Sequence, residues 1–350
     1  MTPDIGLILG IDGIATGSIY VLVGLGLVLI FSVTRVVFVP FGDIVAFSAL
    51  TLASMQLGRM PGTVYLVATL AIVACLVEGA HKWRRGQKRR IARGLVGYGV
   101  LPLIPAAIAW LTAGMDLPAG LQIPLAIALV VPIGPLIERI ALRPLADASV
   151  LLLLIVSVAL TFGLSGLGLL FFGPEGFRTK PLTSEIFRFG TVIVTSQTLL
   201  MVATAAIFSL LLFLFFEHTL SGKALRATSV NRIGARIVGI RPGSTATLAF
   251  LLASLLGAVS GILIGPTTTL YYDSGFIIGL KAFVGAIIGG LVSYPGTALG
   301  AIFIGMLESF ASYWNSALKE VVVFSVLIPV MLWRSLSLPR VDEEDAEVEG

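Results

Sequence analysis

The residues best suited to chemistry are few and widely scattered along this chain. Cys75 is the only cysteine, and His81 and His218 are the only histidines. A zinc site needs three or four ligands, so two histidines at the ends of apolar runs read as interfacial residues. One cysteine can form neither an internal disulfide nor a cysteine-based metal site. The segment Ser221-Gly222-Lys223-Ala224 lacks the first glycine and the hydroxyl of a phosphate-binding loop, so no nucleotide site is expected on this polypeptide. No cluster of His, Asp or Ser at one depth suggests a membrane enzyme. Among the ionisable residues inside apolar stretches, three stand out: Asp43, Lys281 and Glu308. Such residues mark ion or substrate paths, although Lys281 could also extend its stem to an interface. Glu138, beside Arg139 and Arg143, reads as a helix end meeting water.

The elements that position these residues must be membrane helices. Hydrophobic residues fill 57% of 350 positions and charged residues only 12%, against about 45–50% and about 25% in soluble domains. A water-soluble domain of this size could not hide so much apolar surface. Apolar runs near the 20 residues needed to cross hydrocarbon occur at about 5–33, 36–57, 62–80, 94–113, 121–142, 148–172, 197–216, 243–266, 276–293, 296–314 and 319–338. The expected fold is all-α, a polytopic bundle of about 10–11 spans over residues 1–338, with the pair after Phe276 as a possible re-entrant hairpin. Met1-Thr2-Pro3-Asp4 has no basic leader, so the first run is expected to be a retained helix. Glycines recur one turn apart at Gly6/Gly10, Gly13/Gly17, Gly257/Gly261/Gly265, Gly275/Gly279, Gly285/Gly289 and Gly296/Gly300, a spacing that lets helix backbones touch. Gly289 and Gly290 could also unwind beside a water-filled path.

Charge placement predicts orientation. With the N-terminus outside and the C-terminus inside, inward loops and the C-terminal end carry 17 of the 23 bases, as the positive-inside rule requires. A basic loop at 81–93 and a loop at 217–242 then face the cytoplasm, and a long loop at 173–196 faces the periplasm. Residues 339–350 hold six of the 19 acids and read as a disordered tail. Excess base in a membrane protein needs no nucleic acid to explain it. The 217–242 segment alternates Ala224, Leu225, Ala227, Ile233, Ile237 and Val238 with bases, the pattern of short amphipathic helices. A loop with its own helices is a functional candidate.

Three stretches carry a resemblance. They are Thr16-Gly17-Ser18-Ile19-Tyr20 through Phe31-Ser32-Val33-Thr34-Arg35; Gly222-Lys223-Ala224-Leu225-Arg226-Ala227 with Asn231, Ala235 and Gly239; and Gly279-Leu280-Lys281-Ala282-Phe283 with Gly289, Gly290, Pro295 and Gly296. In this order they resemble the LivH-like permease subunits of branched-chain (hydrophobic) amino acid ABC importers. The resemblance implies a non-enzymatic translocation subunit in a bacterial inner membrane. Its implied partners are a second permease, two cytoplasmic ATPase subunits that hold ATP and Mg, a periplasmic solute-binding protein, and membrane lipids. No cofactor is implied in this chain itself.

The resemblance also makes 217–242 the ATPase-coupling loop, with Gly222, Arg226, Ala227, Asn231, Ala235 and Gly239 as its key positions. There Arg226 would pair with acids on the ATPase and Ala235 would permit close docking. The expected translocation path includes Phe38, Phe41, Asp43, Lys281, Gly289 and Gly290. The family tends to show Arg-Val-Ile-Asn-Phe-Ala-His-Gly-Glu where this chain has Arg35-Val36-Val37-Phe38-Val39-Pro40-Phe41-Gly42-Asp43. Aromatic rings in place of Asn and His suggest a solute less polar than usual, or simple packing. Two extra crossings around the 81–93 loop are a further departure. An ATP-independent secondary carrier or channel is the alternative reading, disfavoured by the scarcity of intramembrane carboxylates.

Overall fold

The fold is described from a computed structural model covering residues 3–84, 96–115, 117–146, 148–183, 185–189, 192–291 and 293–337. Most of the predicted basic loop and the whole acidic tail lie outside these described residues. The helices are α1 (Pro3–Thr34), α2 (Phe41–Gln56), α3 (Gly62–Arg84), α4 (Leu101–Leu111), α5 (Ala119–Val130) and α6 (Ile133–Ile137). They continue with α7 (Val150–Phe172), α8 (Ser196–His218), α9 (Leu220–Val230), α10 (Arg232–Ile237) and α11 (Pro242–Ile264). Last come α12 (Ser274–Gly289), α13 (Tyr294–Trp314), α14 (Lys319–Ser325) and α15 (Leu327–Ser337).

Six of the described helical segments are long and apolar enough to cross a membrane: Asp4–Thr34, Gly62–Ala80, Ala119–Leu145, Val150–Phe172, Ser196–His218 and Pro242–Ile264. The other five predicted runs are helical as well, yet shorter, broken or less apolar. The second run starts at Phe41 and not at 36. Arg35 adopts a left-handed backbone (φ 60°) that ends α1, residues 36–38 are non-helical and a turn follows at 39–40, with the Val39 N–H donating to Ser157 Oγ at 2.8 Å. This segment folds back along α1, so that the Phe41 ring lies against Gly26. The last run divides at Val326 into α14 and α15.

The centre of the bundle is α1, packed against α13, α11, α8 and α12, with α2 seated on α11 and α12. A Cβ added at Gly13 would stand 2.6 Å from the Met306 Cα, and one at Gly17 would stand 2.7 Å from the Ile302 Cα. Only hydrogen at these positions lets α1 and α13 touch along their backbones, which drives association where lipid removes the hydrophobic term. Gly42 and Gly275 do the same for α2 and α12. The predicted pair Gly6/Gly10 differs: among the described residues, a Cβ added at either meets nothing within 4 Å beyond its own helix. By contrast α7 and α8 expose Leu151, Phe162, Leu170, Leu210 and Phe213, as helices bordering lipid or a partner chain do.

The bundle has two distinct ends joined by α8, whose 23 residues reach about 34 Å at 1.5 Å per residue. At one end the 173–196 segment folds into an antiparallel hairpin, Ile186–Phe189 with Val192–Thr195. Its Phe177 pairs with Leu270 through two 2.9 Å backbone hydrogen bonds. At the opposite end α9 and α10 form a short helical handle.

Candidate functional site

The handle is built by local capping chemistry. The hydroxyl of Thr219 accepts the Gly222 N–H at 2.9 Å and starts α9. Asn231 Oδ1 accepts the Gly234 N–H at 2.8 Å and starts α10. Gly239, at φ +89°, ends α10. There the Gly239 N–H bonds to Arg236 O, and the Ile240 N–H bonds to Ala235 O, the paired closure typical of a glycine stop. Gly222 packs against the Phe215 and Phe216 backbone, where any side chain would collide. Leu225 is fully buried and Ala227 half-buried.

Side-chain links then tie the handle to the bundle. Arg35 Nη2, just past α1, donates to Ser229 O at 2.9 Å, and Arg232 Nη1 donates to Ala146 O at 3.4 Å. Arg226 is paired within the chain, to Glu217 at 2.9 Å across an exposed surface. Ala235 is buried in this chain's own bundle, so its small size seats the handle on the bundle. The outward surface consists of Leu220, Val230, Ile233, Ile237 and Val238, each at least 74% exposed.

The second feature is a polar cavity of about 380 Å³ near the hairpin end, bounded by α1, α8, the end of α11, the α11–α12 turn, α12, α13 and α14. Lys281 lines it and is buried, so its stem does not reach out to water. Its Nζ donates to Glu308 Oε1 at 2.6 Å. The Tyr20 hydroxyl donates to the other carboxylate oxygen, Oε2, also at 2.6 Å. Glu320 stands 3.9 Å from Lys281, and Lys319 stands 3.9 Å from Glu308. Four helices, α1, α12, α13 and α14, thus meet in one charge network. Asp12, Thr16, Thr268, Ser274 and Ser312 add polar groups to the wall. Asp12 and Thr267 also line a larger recess, about 790 Å³, that runs beside the hairpin.

The other predicted path residues lie elsewhere. Phe38 and Phe41 are fully buried; the Phe38 ring meets Phe250 edge-on at 5.0 Å, and Phe41 fills the space left by Gly26 and Gly257. Asp43 is fully buried in the first turn of α2, with neither carboxylate oxygen hydrogen-bonded. A helix N-terminus favours a carboxylate there. Gly289 and Gly290 form the tight α12–α13 turn: Gly289 lies on the Gly296 backbone and Gly290 takes φ +101°. Glu138 is not a solvated helix end. It is buried and accepts the Thr247 hydroxyl at 3.0 Å, while Arg139 forms an ion pair with Glu78, which also holds Lys82 at 2.6 Å. Sequence reading overlooked Tyr20, Glu78 and Glu320. Tyr20 lies 288 positions from Glu308, and no local pattern announces such a contact.

Comparison with known proteins places this architecture. The family model described as "branched-chain amino acid transport system / permease component" matches residues 10–331. The high-affinity branched-chain amino acid transport system permease protein LivH of Escherichia coli is 30% identical over 204 residues, 56% of this chain and 66% of that protein. The chain therefore spans just under two thirds of the length of that relative. The corresponding permease protein BraD of Pseudomonas aeruginosa is 30% identical over 220 residues, 60% of this chain and 72% of its own length. The autoinducer 2 import system permease protein LsrC of Photorhabdus luminescens is 26% identical over 242 residues, 64% of this chain and 70% of its own. No solved structure matches. With a multi-pass helical architecture and a family match over most of its length, the chain belongs to the branched-chain amino acid transport system permease family.

Proposed function

We propose that this protein is the membrane-spanning permease subunit of an ABC importer for an amino acid or amino-acid-like solute, resident in a bacterial inner membrane. Two ATPase subunits on the cytoplasmic side hold ATP and Mg and supply the energy. A second permease completes the pore, and a periplasmic binding protein delivers the solute. In this reading the handle end faces the cytoplasm and the hairpin end faces the periplasm. The relatives' names support amino acids first, with the autoinducer 2 permease showing that the family's cargo varies.

The observation that carries the proposal is the exposed apolar row on the handle. Ile233 and Ile237, 75% and 81% exposed, stand on a six-residue helix, far too short to cross hydrocarbon. Apolar side chains left bare beside arginines at a membrane protein's polar end mark a docking surface. A groove on the ATPase is the occupant this function needs. Because the handle is also capped and tied to α1 through Arg35, motion of a docked ATPase would be passed into the bundle. The loaded receptor docks at the hairpin recess and must bind one conformation more tightly than the other to shift it.

Co-purification from native membranes tests the assignment: ATPase subunits, a second permease and a receptor should accompany the chain. The double substitution Ile233→Glu/Ile237→Glu should leave the chain in the membrane but abolish receptor-stimulated ATP hydrolysis. Solute uptake by vesicles stripped of ATPase subunits would establish the secondary-carrier alternative instead.

A further inference from the structure

From the cavity that joins α1, α12 and α13, we infer a solute-binding site within this single permease chain, in which Lys281 receives the solute's carboxylate while Glu308 and Glu320 receive its ammonium. The inference rests on the permease reading above and assigns residues to it. The class of ligand is a small zwitterion with an apolar side chain.

The argument begins with the oddity of the network. Burying an ion pair seldom stabilises a protein more than apolar residues of the same volume would, and ionisable groups between membrane helices mark substrate pathways. Here the buried pair also borders open space. The cavity, at about 380 Å³, lies at the lower end of the ligand-pocket range of about 300–1,000 Å³, which suits a small solute.

Hydrogen-bonding capacity then decides which group takes which end. A lysine ammonium has three N–H donors, and Lys281 makes one short bond, to Glu308. Donors remain for a second carboxylate. Tyr20 gives its only hydrogen to Glu308 Oε2 and holds that carboxylate in place, as a positioning residue. Glu320, 3.9 Å from Lys281 and half-exposed, is an acceptor waiting for a closer cation. Lining groups of both signs, Asp12, Glu308 and Glu320 against Lys281 and Lys319, match a zwitterion better than a simple anion or cation. Ile19, Met201, Ile264, Leu270 and Ile277 supply an apolar wall for the side chain. A bound zwitterion shares the Lys281–Glu308 contact, so its arrival loosens a tie between α12 and α13. That is the differential contact a transport step requires.

The test uses the assembled importer in nanodiscs without its receptor, and three radiolabelled probes: leucine, 4-methylpentanoate and 3-methylbutylamine. Leucine should bind, with each half-molecule at least tenfold weaker. Lys281→Met should weaken leucine and 4-methylpentanoate at least tenfold while sparing 3-methylbutylamine. Glu320→Gln, a near-isosteric change at a half-exposed position, should weaken leucine and the amine while sparing the carboxylate. If Lys281→Met alone fails to assemble, Lys281→Met/Glu308→Gln removes both charges together, and it should assemble yet bind leucine at least tenfold more weakly. Absence of leucine binding to the wild-type complex, or wild-type affinity in the double variant, overturns the inference. Failure to obtain any complex with ATPase subunits would instead overturn the permease reading, so the two failures are separable.

Discussion

Replacing Gly17 with valine should break a hydrogen bond that Gly17 never touches. A Cβ at Gly17 would lie 2.7 Å from the Ile302 Cα, whereas carbon atoms rest about 3.5–4.0 Å apart. The obstacle is backbone on both sides, so α1 and α13 must separate by about 1 Å. Tyr20 and Glu308, within two turns of that contact on the same two helices, would move with them. Their 2.6 Å hydrogen bond would lengthen to about 3.6 Å, too long to count as one. Overpacking costs about 1–3 kcal/mol, and a lost bond to a charged group about 1.5–3 kcal/mol. Valine recovers only about 0.3 kcal/mol of helix propensity over glycine, so a net loss of about 2–6 kcal/mol is expected. Unfolding of the detergent-solubilised protein by increasing SDS, followed by tryptophan fluorescence, measures it. Gly10→Val is the control, because a Cβ added there meets nothing within 4 Å among the described residues outside its own helix. On a Tyr20→Phe background the Gly17→Val cost should shrink by the hydrogen-bond share. Equal costs on both backgrounds would refute the coupling, and a wild-type unfolding curve for Gly17→Val would refute the close packing itself.

Other outcomes follow from the same geometry. Glu78→Gln leaves Arg139 without its buried carboxylate partner and should cost about 3–5 kcal/mol in the same assay; adding Arg139→Met should recover most of it. Asn231→Ala removes the α10 cap and about 1 kcal/mol of local stability, visible as faster proteolysis of the handle. Gly239→Ala forces a Cβ into a left-handed backbone at about 1–2 kcal/mol, whereas Gly239→Asn should be milder; receptor-stimulated ATP hydrolysis should fall in that order. With Cys75 replaced by serine, Ile237→Cys should react with an impermeant maleimide only when the cytoplasmic face is exposed. Labelling from the periplasmic face would reverse the proposed orientation.

Much of this protein could be read from its residues in order. Apolar runs of membrane length announced the helices, and bases alternating with Leu225, Ile233 and Ile237 announced the handle, because hydrophobic period and charge are local properties of the chain. Glycines one turn apart announced close packing, but only the folded chain showed that Gly17 meets Ile302 while a Cβ at Gly6 or Gly10 meets, among the described residues, nothing within 4 Å beyond its own helix. The end of α1 at Arg35, the return of Phe41 to the level of Gly26 and the burial of Ala235 were likewise tertiary outcomes. Lys281 and Glu308 stood out as isolated intramembrane charges with no visible relation. Folding brought them to 2.6 Å and added Tyr20 from the far end of the chain. The physical reason is range. Periodicity and capping act over a few residues, whereas a buried charge finds its partner through contacts between distant helices, and only the packed bundle specifies which ones meet.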